Sequence, residues 1–444
     1  MAISKKVMPI LYNILLWIAA LFLVPWYAAK MLVTGKYRKG FRQRFGFLPA
    51  NLPAGLTGRP RIWLHAVSVG EVTAAAPVVA AVKQRLPGVS IILSTTTDTG
   101  QEMARRMIAA ADAFIYYPLD LSGAVRRAIK VVRPDVFVLM ETELWPNFLR
   151  YCRTRDVPVV MANGRLSPRS FRKYALTRFF WKGILSAFAG IGVISRLDAE
   201  RFLRLGAPAA KVKVCGNAKY DSLASQSSAI LLEEMRTRLG IRPGELVLVA
   251  GSTHEGEEAI IIDVYKELLP SYPDCKLIIV PRHVERTPAV LHLARENGLA
   301  DVVTMTEITG GRERRAERVV IVDVIGELFK IYGLAAVVFC GGSLVPKGGQ
   351  NILEAAAWGK IVFYGPHMDD FREEKALLES AGAGITVRDG GELRDGILQL
   401  LADPAAMDRR GEAGRRLVAA NGGAAACYVE LIIDCLRQKE VIIG

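Results

Sequence analysis

Glu71 is the first residue in the chain whose type and setting suit acid–base chemistry. It stands in HAVSVGEV (65–72), where a strand-like run ends, a Ser-x-Gly turn follows and a helix-like run begins. A carboxylate in the first turn of a helix interacts favourably with the helix dipole. Held beside a substrate hydroxyl, it can take the proton as a general base. The same spacing, with Ser68 three residues earlier, equally fits a capping box that only closes the helix end. Gly70 gives this turn backbone freedom, and His65 inside the strand-like run reads as a packed or orienting histidine. A second acidic pair, Glu141 and Glu143, follows a wholly apolar run in METELWPN (140–147). If the strand continued, alternation would send both carboxylates to one side, and Met140, Leu144 and Trp145 would enclose them in apolar surroundings. Such a pair suits acid–base work or the orientation of a basic group; the competing reading is a solvated turn. Asn163, Gly164 and Arg165 end the next apolar run, and arginine offers a planar fork for carboxylate or phosphate.

The second half of the chain carries residue types that bind anions. AGSTHEGEE (250–258) sets Ser252 at a strand-to-helix junction, where free amides can hold phosphate. PRH (281–283) places Arg282 and His283 after another apolar run. In CGGSLVPKGGQNILEAAAWGK (340–360), Gly341 and Gly342 permit close backbone approach, and Lys347 adds positive charge. Gly348 and Gly349 precede a helix expected to run through Asn351 and Glu354, with amides exposed at its start. Glu354 is then placed to accept hydrogen bonds from ribose hydroxyls. Neither GxGxxG nor GxxxxGK[ST] occurs, which weighs against dinucleotide and P-loop triphosphate sites.

Elements that position these loops follow from the hydrophobic pattern. Short apolar runs at 62–67, 90–96, 113–119, 135–140, 157–163 and 189–195 alternate with helix-like stretches. That recurrence marks a mostly parallel sheet covered by helices on both faces. The pattern restarts after 212–221, with runs at 246–252, 275–283, 318–324, 335–343 and 360–366. The fold class expected is therefore α/β, with two doubly wound, Rossmann-like domains over 49–212 and 213–444. Ligands in such sheets bind outside the carboxyl ends of the strands, where the loops above lie.

At 444 residues, half of them hydrophobic, the chain suits two domains better than one. Its net charge of +14 can favour nucleic acid, anionic lipid or a phosphorylated substrate. No Cys/His finger spacing or basic tail appears, so nucleic acid is not an expected partner and lipid headgroups are. Cysteines 152, 215, 275, 340, 427 and 435 form no CxxC pair; buried thiols are expected rather than disulfides or metal ligands. Residues 7–29 carry no charge, and a helix of roughly 20 residues crosses a bilayer. Lys30, Lys36, Arg38, Lys39, Arg42 and Arg44 follow it, and the heavier positive flank stays cytoplasmic. Residues 1–48 are thus expected to form a membrane-associated N-terminal helix, spanning or interfacial, with a basic juxtamembrane segment.

Taken together, VSVGEV (67–72), ETELWPN (141–147), GNAKYD (216–221), GSTHEGEE (251–258), PRHVER (281–286) and GGSLVPKGGQNILEAAAWGK (341–360) resemble the 3-deoxy-D-manno-octulosonic acid (Kdo) transferases of lipopolysaccharide assembly. The resemblance implies a GT-B fold, two Rossmann-like domains facing across a cleft. It implies inverting transfer of Kdo from CMP-Kdo to a lipid A precursor at the cytoplasmic side of the bacterial inner membrane. Neither a cofactor nor a catalytic metal is implied. Glu71 would be the general base, and Ser68, Gly70, Glu141, Glu143, Asn163 and Arg165 would support the acceptor side. The donor would meet Ser252, Arg282, His283, Gly341, Gly342, Ser343, Lys347, Gly348, Gly349, Asn351 and Glu354. Two departures stand out: Gly164 stands where the family often has the alanine of Asn-Ala-Arg, which would loosen that loop, and Ile194–Ser195–Arg196 occurs where a Gln-Ser or Gln-Thr pair is usual.

Overall fold

A computed structural model describes Ile10, residues 12–18, Leu21, 39–311 and 317–441. The chain divides into two compact units, Met1–Ser222 with Gly422–Gly444, and Leu223–Asn421. Unit 1 contains β1 (Arg61–His65), β2 (Ser90–Thr95), β3 (Ala113–Tyr116), β4 (Val136–Met140), β5 (Val159–Gly164), β6 (Gly190–Val193) and β7 (Val212–Val214). They pair in the order β3-β2-β1-β4-β5-β6-β7, every pair parallel. Each residue of β4 is buried, as a parallel strand covered on both faces must be.

Unit 2 repeats the plan with β8 (Val247–Thr253), β9 (Lys276–Pro281), β10 (Val302–Thr304), β11 (Val319–Ile321), β12 (Val337–Cys340), β13 (Val362–Tyr364) and β14 (Gly384–Thr386). Its order is β10-β11-β9-β8-β12-β13-β14, again all parallel. The strand order reverses between β1 and β4 in unit 1 and between β8 and β12 in unit 2. Loops leaving such neighbours diverge and open a crevice, the usual ligand position in this architecture. Edge strands β7, β10 and β14 are three residues each and are not among the apolar runs picked out above.

The helices that matter below are α1 (Val69–Arg85), α2 (Pro146–Thr154), α3 (Arg196–Leu205), α4 (Ala218–Gln226), α5 (Glu257–Leu268), α6 (Leu353–Ala357), α7 (Pro404–Ala420) and α8 (Ala424–Gln438). One face of the unit 1 sheet packs Ile62, Leu64 and Val138 against Val72, Val79, Tyr428 and Ile432 of α1 and α8. The other packs Trp63, Phe137 and Phe148 edge to face around a core of their own. Burying each large apolar side chain contributes about 1.5–3 kcal/mol.

Two expectations are corrected here. A membrane helix at the N terminus is not what the fold offers: among the described residues, the stretch long and apolar enough to cross a bilayer is Pro404–Gln438, at the C-terminal end. Much of 7–29 lies outside the described residues. Within it, Tyr12 donates to Asp120 at 2.8 Å and Asn13 exchanges hydrogen bonds with Asn147, docking that stretch on unit 1 by polar contacts. Ile14, Leu15 and Trp17 remain exposed. Pro404–Gln438 is itself two helices, α7 and α8, parted at Asn421 to Gly423. α8 carries Tyr428, Ile432 and Leu436 into the unit 1 core.

The second correction concerns the cysteines. Cys152, Cys275, Cys340 and Cys435 are buried thiols, but Cys215 and Cys427 form a disulfide across 212 residues of sequence. No sequence spacing announces that pair, because it exists only once α8 returns to unit 1. Asp221 caps the returning helix by accepting from the amides of Gly423 and Ala425, and Tyr428 donates to the Gly216 carbonyl.

Candidate functional site

β1 delivers His65 and then Glu71, while its neighbour β4 delivers Glu141 and Glu143, so the switch point brings the three acids together. His65 is fully buried; its Nδ1 lies 3.0 Å from Ser94 Oγ, and its ring stacks 3.8 Å from Tyr117. Burial pushes its pKa down to about 3, so it is neutral and acts as packing. Ser68 is the N-cap of α1, but its side chain makes no capping bond. The Glu71 carboxylate instead folds back over the turn, accepting from Val67 N at 2.7 Å and Ser68 Oγ at 3.4 Å. The capping box is thus not formed. Glu71 is 7% exposed. Burial, together with the negative charges of Glu141 and Glu143, raises its pKa to about 8 against the hydrogen bonds from Val67 and Ser68.

Strand geometry does not continue through the second acidic pair. Glu141 adopts a left-handed φ of 56° as β4 ends, and its amide donates to Ala162 O. That turn re-aims the chain before Pro146 opens α2, whose first amides at Asn147 and Phe148 are capped by Asp120. Burial and then Glu141 raise the pKa of Glu143. Lys219, from α4, lies 3.3 Å from Glu141 and is the nearest group to a side chain placed at Gly70, at 3.7 Å. Lys219 is a candidate site residue that the sequence gives no role. Its only signal there is its place in GNAKYD, and its partner is visible only in three dimensions.

Other expected positions divide clearly. Gly70 has no positive φ; it lies within α1, and a Cβ there would make ordinary contact with Lys219. Asn163, with φ 57°, accepts from the Ala218 amide at 3.0 Å and so ties β5 to α4. Gly164 tightens its surroundings, since a Cβ there would meet Met161 Sδ at 2.8 Å. Arg165 is exposed beside them. Ser195 caps α3, donating to Asp198 and accepting from its amide, which engages the hydroxyl within the fold.

In unit 2, β8 and β12 place the loops of Ser252 and Gly341 side by side. Ser252 is left-handed at φ 54°. Gly341 packs against Ser252 and Thr253, and Gly342, at φ 67°, lies beside His254, whose ring is 5.9 Å from that of His283. Burial lowers the His254 pKa, and the positive neighbours His283, Lys347 and Arg282 act in the same direction against Glu257. Arg282, His283 and Lys347 are exposed. Gly348 and Gly349 take φ of 87° and 80° against Asp370 and Met368. The helix after them starts later than expected: α6 begins at Leu353, so Asn351 precedes it and holds Glu354 at 3.0 Å. Burial raises the Glu354 pKa to about 7. Ser343 is fully buried, donating to Cys340 O and accepting from Gly365 N. Among the described residues, no group of three or more His, Cys, Asp or Glu side chains is arranged to hold a metal.

The same fold appears in the UDP-GlcNAc 2-epimerase of Neisseria meningitidis, bound to UDP-GlcNAc. The TM-score is 0.59 at 14% identity, over 84% of this chain and all of that one. Two parallel sheets, each with polar loops at its switch point, define a protein of the GT-B type. Residues 39–222 match the family described as 3-Deoxy-D-manno-octulosonic-acid transferase (kdotransferase). The chain is 32% identical to the 3-deoxy-D-manno-octulosonic acid transferase of Haemophilus influenzae, over 91% of this chain and 93% of that protein. It is 32% identical to that of Bordetella pertussis, over 88% and 91%. The chain belongs to the Kdo transferase family, the glycosyltransferases of lipopolysaccharide and lipid A biosynthesis.

Proposed function

We propose that this transferase moves Kdo from CMP-Kdo to the lipid A precursor lipid IVA, once or more, with inversion at the anomeric carbon. Glu71 takes the proton of a glucosamine hydroxyl. The freed oxygen bonds to the anomeric carbon from the face opposite CMP, while the bond to the CMP phosphate breaks and its electron pair leaves with CMP. Unit 1 holds the acceptor, with Ser68, Gly70, Glu141, Glu143, Asn163 and Arg165 around Glu71. Unit 2 holds the donor: Arg282, His283 and Lys347 offset its phosphate and carboxylate charge, an electrostatic role. Ser252, the loop glycines 341, 342, 348 and 349, Ser343, Asn351 and Glu354 shape that site. A lipid-borne acceptor keeps the reaction at a membrane, and we infer the cytoplasmic side of the inner membrane.

The observation that carries this reading is the buried Glu71 carboxyl, pushed up to about 8 and held by one amide and one hydroxyl. A general base works best with a pKa near the operating pH. Activity is expected to climb with pH along a limb near 8, and Glu143→Gln should move that limb acidward by removing a negative charge. Stability runs the other way. The folded state keeps a proton that the unfolded chain has released, so Glu71 costs stability as pH rises from 4.5 to about 8. A pH–rate profile flat through neutral and mildly alkaline pH would exclude the proposed role.

Substrate identity is tested by supplying CMP-Kdo and lipid IVA and resolving the products by mass, with UDP-GlcNAc as a rival donor. Lipid IVA carrying one or more Kdo residues is the expected product. Transfer from UDP-GlcNAc alone, or no transfer from CMP-Kdo, would overturn the reading.

A further inference from the structure

Glu257 opens α5 and has no exposed surface. Its carboxylate accepts from four backbone amides: His254 at 2.9 Å, Gly342 at 2.7 Å, and Ser343 and Leu344 at 3.0 Å each. Three of these are consecutive and belong to the glycine loop after β12, 85 to 87 residues along the chain. Consecutive amides converging on one point form a nest of the kind that holds phosphate oxygens. Here the nest is already filled by a side chain. The loop is fixed by further bonds around it, Ser343 Oγ with Cys340 O and Gly365 N, and Gly349 N with Gly342 O.

We propose that Glu257 is the resident anion of this nest, a positioning residue that forms the glycine loop before donor arrives. It directs the donor's anionic groups to the cations at the loop rim instead of to these amides. Those cations suit that role, because Arg282 and Lys347 are exposed and lie close enough to the loop for their charges to act on His254. The proposal rests on the reading of unit 2 as the donor side. It also explains why a glycine-rich loop here matches no phosphate-loop spacing: its amides answer to a glutamate from the neighbouring strand-to-helix junction.

Replacing the carboxylate with an amide puts an N–H against amides that need an acceptor. In the full chain, Glu257→Gln is expected to raise the KM for CMP-Kdo by about 10- to 100-fold, the usual scale for a buried donor left unmatched. The pH limb near 8 assigned to Glu71 should stay in place. In Glu257→Ala, added formate should refill the nest and recover donor affinity, a rescue that a general packing defect does not show. Wild-type donor affinity in Glu257→Gln, or failure of formate to act on a folded Glu257→Ala, overturns the proposal. If neither variant folds, hydrogen exchange on the wild-type chain decides: the amides of Gly342, Ser343 and Leu344 should be protected without ligand and unchanged by CMP. Protection that appears only with CMP overturns it. If the wild type fails to bind CMP-Kdo, the donor reading fails, while ligand-free protection still tests Glu257 separately.

Discussion

Glu71→Gln is expected to fold as the parent does, retain CMP-Kdo binding and lose about 10²–10⁴-fold in turnover, the range for one positioned proton transfer. Glutamine has nearly the same shape, and its carbonyl can still accept from Val67 N, which holds the carboxylate at 2.7 Å. It cannot take a proton. The raised pKa also means that the native carboxylate is unfavourable in the folded state at alkaline pH. The neutral variant should therefore be at least as stable there, so a loss of activity cannot be attributed to unfolding. Turnover, donor affinity and the thermal midpoint, measured on one preparation, separate these effects. Near-parental turnover would remove Glu71 from the chemistry and return it to a structural role at the start of α1.

The second large effect is expected at Gly341→Ala. A Cβ there would lie 2.5 Å from Ser252 O and 2.6 Å from Thr253 Cα. Both are backbone atoms of β8, the strand beside β12, and have no rotamer through which to escape. The strand ends must part, stretching the 2.8 Å bond from Gly341 N to Gly251 O. Overpacking of this kind costs about 1–3 kcal/mol, occasionally more, which in a unit of this size lowers the melting temperature by about 2–4 °C for each kcal/mol. Donor affinity should fall as well, because the next three amides are three of the four that grip Glu257. Gly183→Ala is the control: nothing lies within 4 Å of its new Cβ, and a helical glycine replaced by alanine is expected to stabilise slightly. Parental stability in Gly341→Ala would falsify the close-approach argument.

Much of this protein was determined by local sequence alone. Apolar runs of the kind ending at His65, Met140, Thr253 and Cys340 bury both faces of a parallel sheet, so their alternation with helices marks two doubly wound units without reference to long-range contacts. The turn residues after those runs mark where chemistry can sit, since ligands in such sheets lie beyond the carboxyl strand ends. The motif resemblance and the 32% identity over 91% of this chain agree on the family.

Strand order was decided only by the tertiary structure, and with it which loops meet. Glu71 becomes an acid of raised pKa because it is buried and because β4, paired with β1, carries Glu141 and Glu143 alongside. Until then, a helix-capping glutamate and a proton acceptor share one sequence spacing. Lys219, Glu257 and the Cys215–Cys427 pair act through partners 78, 85 and 212 residues away. Local pattern carries no trace of such contacts, because the energy that selects them appears only when the sheets close. The N-terminal apolar stretch shows the same limit: composition reports its hydropathy, whereas the docking of Tyr12 and Asn13 on Asp120 and Asn147 depends on surfaces assembled from elsewhere in the chain.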